Sequence, residues 1–198
     1  MLIFYGLGNN ENKYFKTKHN AGRVILEKLA EFEGLTFQKA QKYSYCKTKW
    51  GSEDVYFVYS SGFMNLSGEA LNAFVNYFKL ELSGANDFLV VLQDDSDQIE
   101  GNNKFVLGGG SAGHRGIDSI NKHLLSFKLD ISRFWRLKIG IRPALNTLKS
   151  ETFVLNALSD LDNQNINSLT RLISSNKRHF ETLCFDKIQM VINTKSNY

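Results

Sequence analysis

The 198-residue chain carries 24 Lys and Arg against 20 Asp and Glu, a formal net charge of +4, with 42% apolar and 22% charged residues. That balance excludes a disordered chain and gives length enough for one domain with a real core, residues 1–198. No apolar run approaches the roughly 20 residues of a membrane span and the first residues do not read as a signal peptide, so the expected location is the cytoplasm.

The isoelectric point near 9.0 suits a polyanionic partner without requiring one. Cys46 and Cys184 lie far apart, without metal-type spacing, and read as two free buried thiols.

In chain order, Leu2-Ile3-Phe4-Tyr5 is a four-residue apolar run that stops at Gly6-Leu7-Gly8-Asn9, as a buried strand does when it turns. Open α/β sheets bind ligands beyond such strand ends, which places Asn9 at the lip of a crevice. His19 then precedes the helical spacing of Ala21, Val24, Ile25, Leu26, Leu29, Ala30 and Phe32, with a stop at Gly34. Lys42–Trp50 alternates as a strand, 51–54 turns, and Val55–Tyr59 returns as its antiparallel partner. Asn65 lies at the next strand-to-helix junction, ahead of a helix bearing Leu71, Phe74, Val75 and Phe78 on one side.

Phe88–Leu92 is the strongest core strand and runs into Gln93-Asp94-Asp95-Ser96-Asp97, read as the loop beyond its end. Another strand, Lys104–Leu107, feeds the glycine-rich 108–116 and a helix from Ile117 to about Phe127. Phe134–Ile141 is the last long strand, with Arg136, Lys138 and Arg142 adding positive charge. Residues 153–158 read equally as a strand or a helix start. Ser159 has the look of an N-cap, and Ile166–Ile173 and Phe180–Ile192 are terminal helices.

Three constellations carry chemistry. Gly6-x-Gly8 hints at a dinucleotide loop, but Glu11 stands where the third glycine belongs. Gly109-Gly110-Ser111-Ala112-Gly113 satisfies the nucleophile-elbow pattern and makes a serine hydrolase using Ser111 a competing reading. The third set joins Asn9, His19, Asn65 and Asp94. A carboxylate beside an imidazole fixes its tautomer and raises its basicity, and amides can donate to an oxyanion as water attacks. No paired histidines or spaced carboxylates suggest a metal, so none is expected.

Gly6-Leu7-Gly8-Asn9, Tyr14, Thr17-Lys18-His19-Asn20-Ala21-Gly22, Phe63-Met64-Asn65-Leu66-Ser67-Gly68, Asp94, Gly108-Gly109-Gly110 with Gly113-His114, and Arg136-Leu137-Lys138-Ile139-Gly140-Ile141 occur in that order. Together they resemble the motifs of bacterial peptidyl-tRNA hydrolase. The resemblance implies an α/β fold, a twisted mixed sheet flanked by helices, acting as a monomer without metal or cofactor. It implies hydrolysis of the ester between a peptide and the 3′ ribose of tRNA, with peptidyl-tRNA as the partner. In that pattern His19 is the general base, Asp94 supports it, and Asn9 separates blocked from unblocked aminoacyl groups. Tyr14, Phe63 and Asn65 match substrate contacts, and Lys138 matches a position that grips a tRNA phosphate.

The departures are specific. Asn10-Glu11 replaces Pro-Gly in the first loop, and Gln93 stands where a histidine is common. Arg115 occupies the place of a substrate-contacting asparagine. Val106 replaces a second phosphate-gripping basic residue, with Lys104 two positions earlier on the same face of the strand. Arg115 keeps open the alternative of a catalytically silent RNA-binding relative, since relatives of this fold serve RNA splicing.

Overall fold

The computed structural model describes residues 1–82, 87–129, 134–144, 149, 153–182 and 184–194. Strands β1 (Leu2–Gly6), β2 (Gln38–Lys39), β3 (Tyr43–Trp50), β4 (Glu53–Ser60), β5 (Phe88–Ile99), β6 (Asn103–Leu107) and β7 (Phe134–Arg142) form one sheet in the order β2-β3-β4-β1-β5-β7-β6. The inner strands β4, β1, β5 and β7 run parallel, while β2, β3 and β6 are antiparallel to their neighbours. The sheet is therefore mixed, as expected. Every residue of β1 is buried, which explains its unbroken apolar run: it lies between two strands and under two layers of helix.

Alternation along β1 divides the core. Leu2 and Phe4 face α1 (Ala21–Phe32), α4 (Asp160–Ser175), α5 (Lys177–Glu181) and α6 (Phe185–Thr194), where Phe4 meets Trp50 and Phe180 at ring separations of 5.2 Å each. Ile3 and Tyr5 face α2 (Ser67–Tyr77) and α3 (Arg115–Asn121). Helix α1 sits hard against the sheet because Gly22 has no side chain; a Cβ there would lie 2.0 Å from the Leu92 carbonyl oxygen.

Several sequence expectations change. β5 does not end at Leu92 but continues to Ile99, so Asp94 and Asp95 lie in a strand, opposite Ile139 and Gly140 of β7. The continuing ladder satisfies the backbone groups of a stretch whose acidic side chains suggest a loop. The helix expected to reach Phe127 stops at Asn121 and is followed by a 3-10 turn, Leu124–Phe127. The single C-terminal helix is two, α5 and α6, and α4 begins at Asp160. Its N-cap is Ser159, whose Oγ accepts from the Asp162 N–H at 3.0 Å while Asp162 accepts from the Ser159 N–H at 2.8 Å. Both cysteines are free, but only Cys46 is buried; Cys184 is partly exposed. No helix among the described residues is long and apolar enough to cross a membrane.

Candidate active site

β5 outruns β1. Gly6 is level with Leu92, and beyond it the chain leaves the sheet, so the next turn of β5 is open to the loops that follow β1. Those loops hold the first site residues. The 3-10 turn Lys18–Asn20 sends three successive side chains in three directions, as threefold geometry requires.

Asn20 turns inward. Its Oδ1 accepts from the Asn9 N–H at 2.8 Å and its Nδ2 donates to the Asn9 carbonyl at 2.9 Å. Asn9 Oδ1 in turn accepts from the Met64 N–H at 2.8 Å. With its oxygen so engaged, the Asn9 amide offers its NH2 group to the cleft.

His19 points to β5. Its Nδ1 lies 2.9 Å from each oxygen of Asp94. A second imidazole reaches the same carboxylate, His114 Nε2 being 2.9 Å from Asp94 Oδ1, and the two rings are 5.0 Å apart. His114 Nδ1 accepts from the Gly116 N–H at 3.1 Å, so the proton sits on Nε2 and is donated to Asp94. The ionised carboxylate likewise takes the Nδ1 proton of His19. This leaves His19 Nε2 with a free lone pair.

The electrostatics follow from burial and these bonds. Burial alone would raise the Asp94 pKa, but the two imidazoles outweigh it and hold the carboxyl well below its ordinary range. Burial alone would lower the His19 pKa. The charge of Asp94 and the bond to it overcome that, Arg115 pulls the other way, and the net result is a rise above 6.5.

These groups open on a cleft of about 490 Å3 lined by Asn9, Tyr14, His19, Phe63, Asn65, Asp94, Arg115 and Lys138, among others. Tyr14 is half-buried, and Phe63, Asn65 and Arg115 stand exposed at the rim. Lys138 Nζ is 2.7 Å from Asp95 Oδ2. Lys104 is absent from that lining; it is exposed on the edge strand β6, directly opposite Lys138 in the β6–β7 register, with Val106 opposite Arg136. The sequence set is thus assembled in one cleft apart from Lys104, which flanks it.

A family model described as peptidyl-tRNA hydrolase matches residues 3–197. The curated peptidyl-tRNA hydrolase of Mesoplasma florum is 34% identical over 176 residues, covering 88% of this chain and 90% of that one. The chain belongs to the peptidyl-tRNA hydrolase family. Its fold is also that of the crystal structure of peptidyl-tRNA hydrolase from Acinetobacter baumannii, at a TM-score of 0.79 and 22% identity, covering 100% of this chain and 95% of that one. A crystal structure of peptidyl-tRNA hydrolase with N-propanol matches with the same score and coverage.

Within this family fold, four residues at or behind the cleft do not stand out by local pattern. His114 was visible only as part of a glycine-rich motif; its place directly before α3 was the available signal. Asn20 was seen only as a neighbour of His19. Arg136, noted merely as positive charge, is buried, donating from Nε to Gln93 Oε1 at 2.7 Å and from Nη1 to the carbonyls of Gly108, Gly109 and Gly110 at 3.2, 3.1 and 2.8 Å. It ties down the loop that carries His114. Lys18, the fourth, is buried on the far side of the turn from the cleft and ion-paired there.

Ser111 lines the cleft, but its loop spans seven residues between β6 and α3, Gly108 to His114, too wide for an elbow. Its Oγ accepts from the Gly113 N–H at 3.3 Å, and the site's two imidazoles are both turned to Asp94. The ligand atoms of His19, Asp94 and His114 lie within 4.8 Å of one another, a spacing compatible with a metal ion. The donor set argues otherwise: a metal on His114 Nε2 would move the ring proton to Nδ1, where it would face the Gly116 N–H.

Proposed function

We propose that this protein hydrolyses the ester joining a peptide to the 3′ ribose of tRNA, with His19 as general base. The observation that supports this most is the His19–Asp94 pair, which turns a free, basic Nε2 toward a cleft carrying amide donors. Water is deprotonated by Nε2 as its oxygen bonds to the ester carbonyl carbon. The carbonyl oxygen becomes an oxyanion, to which the NH2 groups of Asn9 and Asn65 donate. Collapse breaks the bond to the ribose 3′ oxygen, which takes the proton back from the His19 imidazolium, giving a free peptide and a free tRNA 3′ hydroxyl.

Tyr14 and Phe63 supply ring faces for the terminal adenosine or the peptide. Lys104 and Lys138, opposite each other on adjacent strands, attract the phosphates of the tRNA end, and Arg115 adds a fork of donors at the rim. The reading includes a cytoplasmic monomer working without metal or organic cofactor, as the family resemblance implies. Chelator-treated protein should keep its activity and elute at the size of one chain.

The deciding experiment mixes the protein with an N-blocked aminoacyl-tRNA and with its unblocked counterpart, beside His19→Ala, and follows release of the acyl group. Cleavage of the blocked substrate alone, lost in the variant, is expected. Binding of tRNA with no cleavage by the unmodified protein would replace this reading with an RNA-binding role.

A further inference from the structure

Lys18 is among the least exposed charged side chains of the protein, and its ammonium is ion-paired with both Glu100 and Asp162. Glu100 belongs to the turn between β5 and β6, and Asp162 to the first turn of α4. One buried cation therefore joins three segments far apart in sequence.

The same turn is sewn to the chain ahead of α4 by its backbone. The Lys18 N–H donates to the Asn156 carbonyl at 2.9 Å, the His19 N–H to the Val154 carbonyl at 2.8 Å, and the Leu158 N–H to the Lys16 carbonyl at 2.7 Å, with Thr17 and Ala157 bridged as antiparallel partners. Asp162 is itself fixed by its reciprocal bonds with Ser159.

In a 3-10 turn neighbouring side chains diverge by about 120°, so anchoring one fixes the rotation of the next about the turn axis. Asn20 anchors the turn toward Asn9 and Lys18 anchors it toward α4. His19 stands between them. We infer that Lys18 is a positioning residue for His19: its buried ion pairs with Glu100 and Asp162 set the rotation of the Lys18–Asn20 turn, and with it the approach of the imidazole to Asp94. This inference rests on the assignment of His19 as the base and deepens it.

The geometry makes a demand that a purely structural role does not. If the turn rotates, the imidazole loses alignment with Asp94 while Phe63, Asn65 and Arg115 of the rim, carried by other segments of the chain, stay in place. The groups facing His19 are Asp94 from β5, His114 ahead of α3 and Arg115 at the start of α3. Only the first of these raises its basicity.

The test compares unmodified protein with Lys18→Met by steady-state hydrolysis of an N-blocked aminoacyl-tRNA and by NMR titration of the His19 ring. The expected result is a kcat lower by about ten- to a hundred-fold, as for small misplacements of a catalytic group, with KM little changed. The His19 titration should move down toward 6.5 as the carboxylate contact loosens. A folded variant with unchanged kcat and unchanged His19 titration would overturn the inference. Should Lys18→Met not fold, Glu100→Gln, which leaves Lys18 its Asp162 partner, is read by the same criteria with a smaller expected change. If the unmodified protein fails to cleave the substrate, the functional reading falls, yet the NMR comparison still decides the role of Lys18.

Discussion

His114 donates from Nε2 to Asp94 Oδ1 across 2.9 Å, and its other nitrogen is already occupied by the Gly116 N–H. The ring therefore has one available role, to hold the carboxylate that holds His19. Replacing it by alanine leaves a buried, charged oxygen with one donor fewer. His114→Ala is expected to lower stability by about 1–3 kcal/mol, the usual cost of removing a partner from a buried charged group, and to lower kcat more than it changes KM. Denaturant unfolding and steady-state assays check the two halves separately.

Asp94→Asn tests the other end of the pair. The amide keeps the shape but loses the charge that chiefly raises His19 above 6.5. Hydrolysis should slow by roughly ten- to ten-thousand-fold, the range of general-base contributions. With His19 as the proposed base the sign for pH follows: it must be neutral to accept a proton, so activity should rise with pH through its pKa. In the unmodified protein that limb is expected above 6.5, and in Asp94→Asn it should move to lower pH as the residual rate falls. A pH profile of kcat/KM gives both. For folding the raised His19 pKa acts in the opposite sense, its stabilisation being complete below 6.5 and lost as pH climbs through the raised value.

Arg115 works against Asp94, since its charge lowers the His19 pKa while its guanidinium sits exposed at the cleft. Removing that charge should raise the acid limb, the reverse of the Asp94→Asn shift. Arg115→Gln is expected to show this upward displacement, together with a weaker dependence of KM on salt if the guanidinium meets a phosphate. Profiles at two ionic strengths separate the two effects.

Much of this is legible in the sequence, for identifiable reasons. The unbroken apolar runs of β1 and β5 and the hairpin β3–β4 follow from local patterning, and they alone point the Asn9 and His19 loops to a common sheet end. What local patterning could not supply was the partner. Asp94 looked like a loop residue because acidic side chains suit loops, yet β7 pairs with it at Ile139, a contact made across more than forty residues of chain. The bond from His114 depends on the same long-range packing. Residues 153–158 are undecidable from local pattern because no one element runs through them: Phe153 is helical, 154–156 turn, and Ala157 bridges to Thr17, a pairing that exists only when the Lys18–Asn20 turn is beside them.

Lys104 and Lys138 give the last prediction. The sequence placed Lys104 on the face of Val106, and the register adds that it lies opposite Lys138, so two ammonium groups share one patch at the sheet edge. They differ in commitment. Lys138 is 2.7 Å from Asp95 and mostly buried, whereas Lys104 is exposed. A counter-ion already in place weakens the pull of Lys138 on a phosphate, and exposure leaves Lys104 its full charge at the cost of screening by salt. Lys104→Ala should therefore raise KM for a tRNA substrate with kcat nearly unchanged, and reduce the slope of log affinity against log salt by about one. Lys138→Ala should do the same and also leave the Asp95 charge beside the cleft without its ammonium partner, so its loss of affinity should be the larger. Equal affinity of all three proteins across a salt series would show that the tRNA end does not use this edge of the sheet.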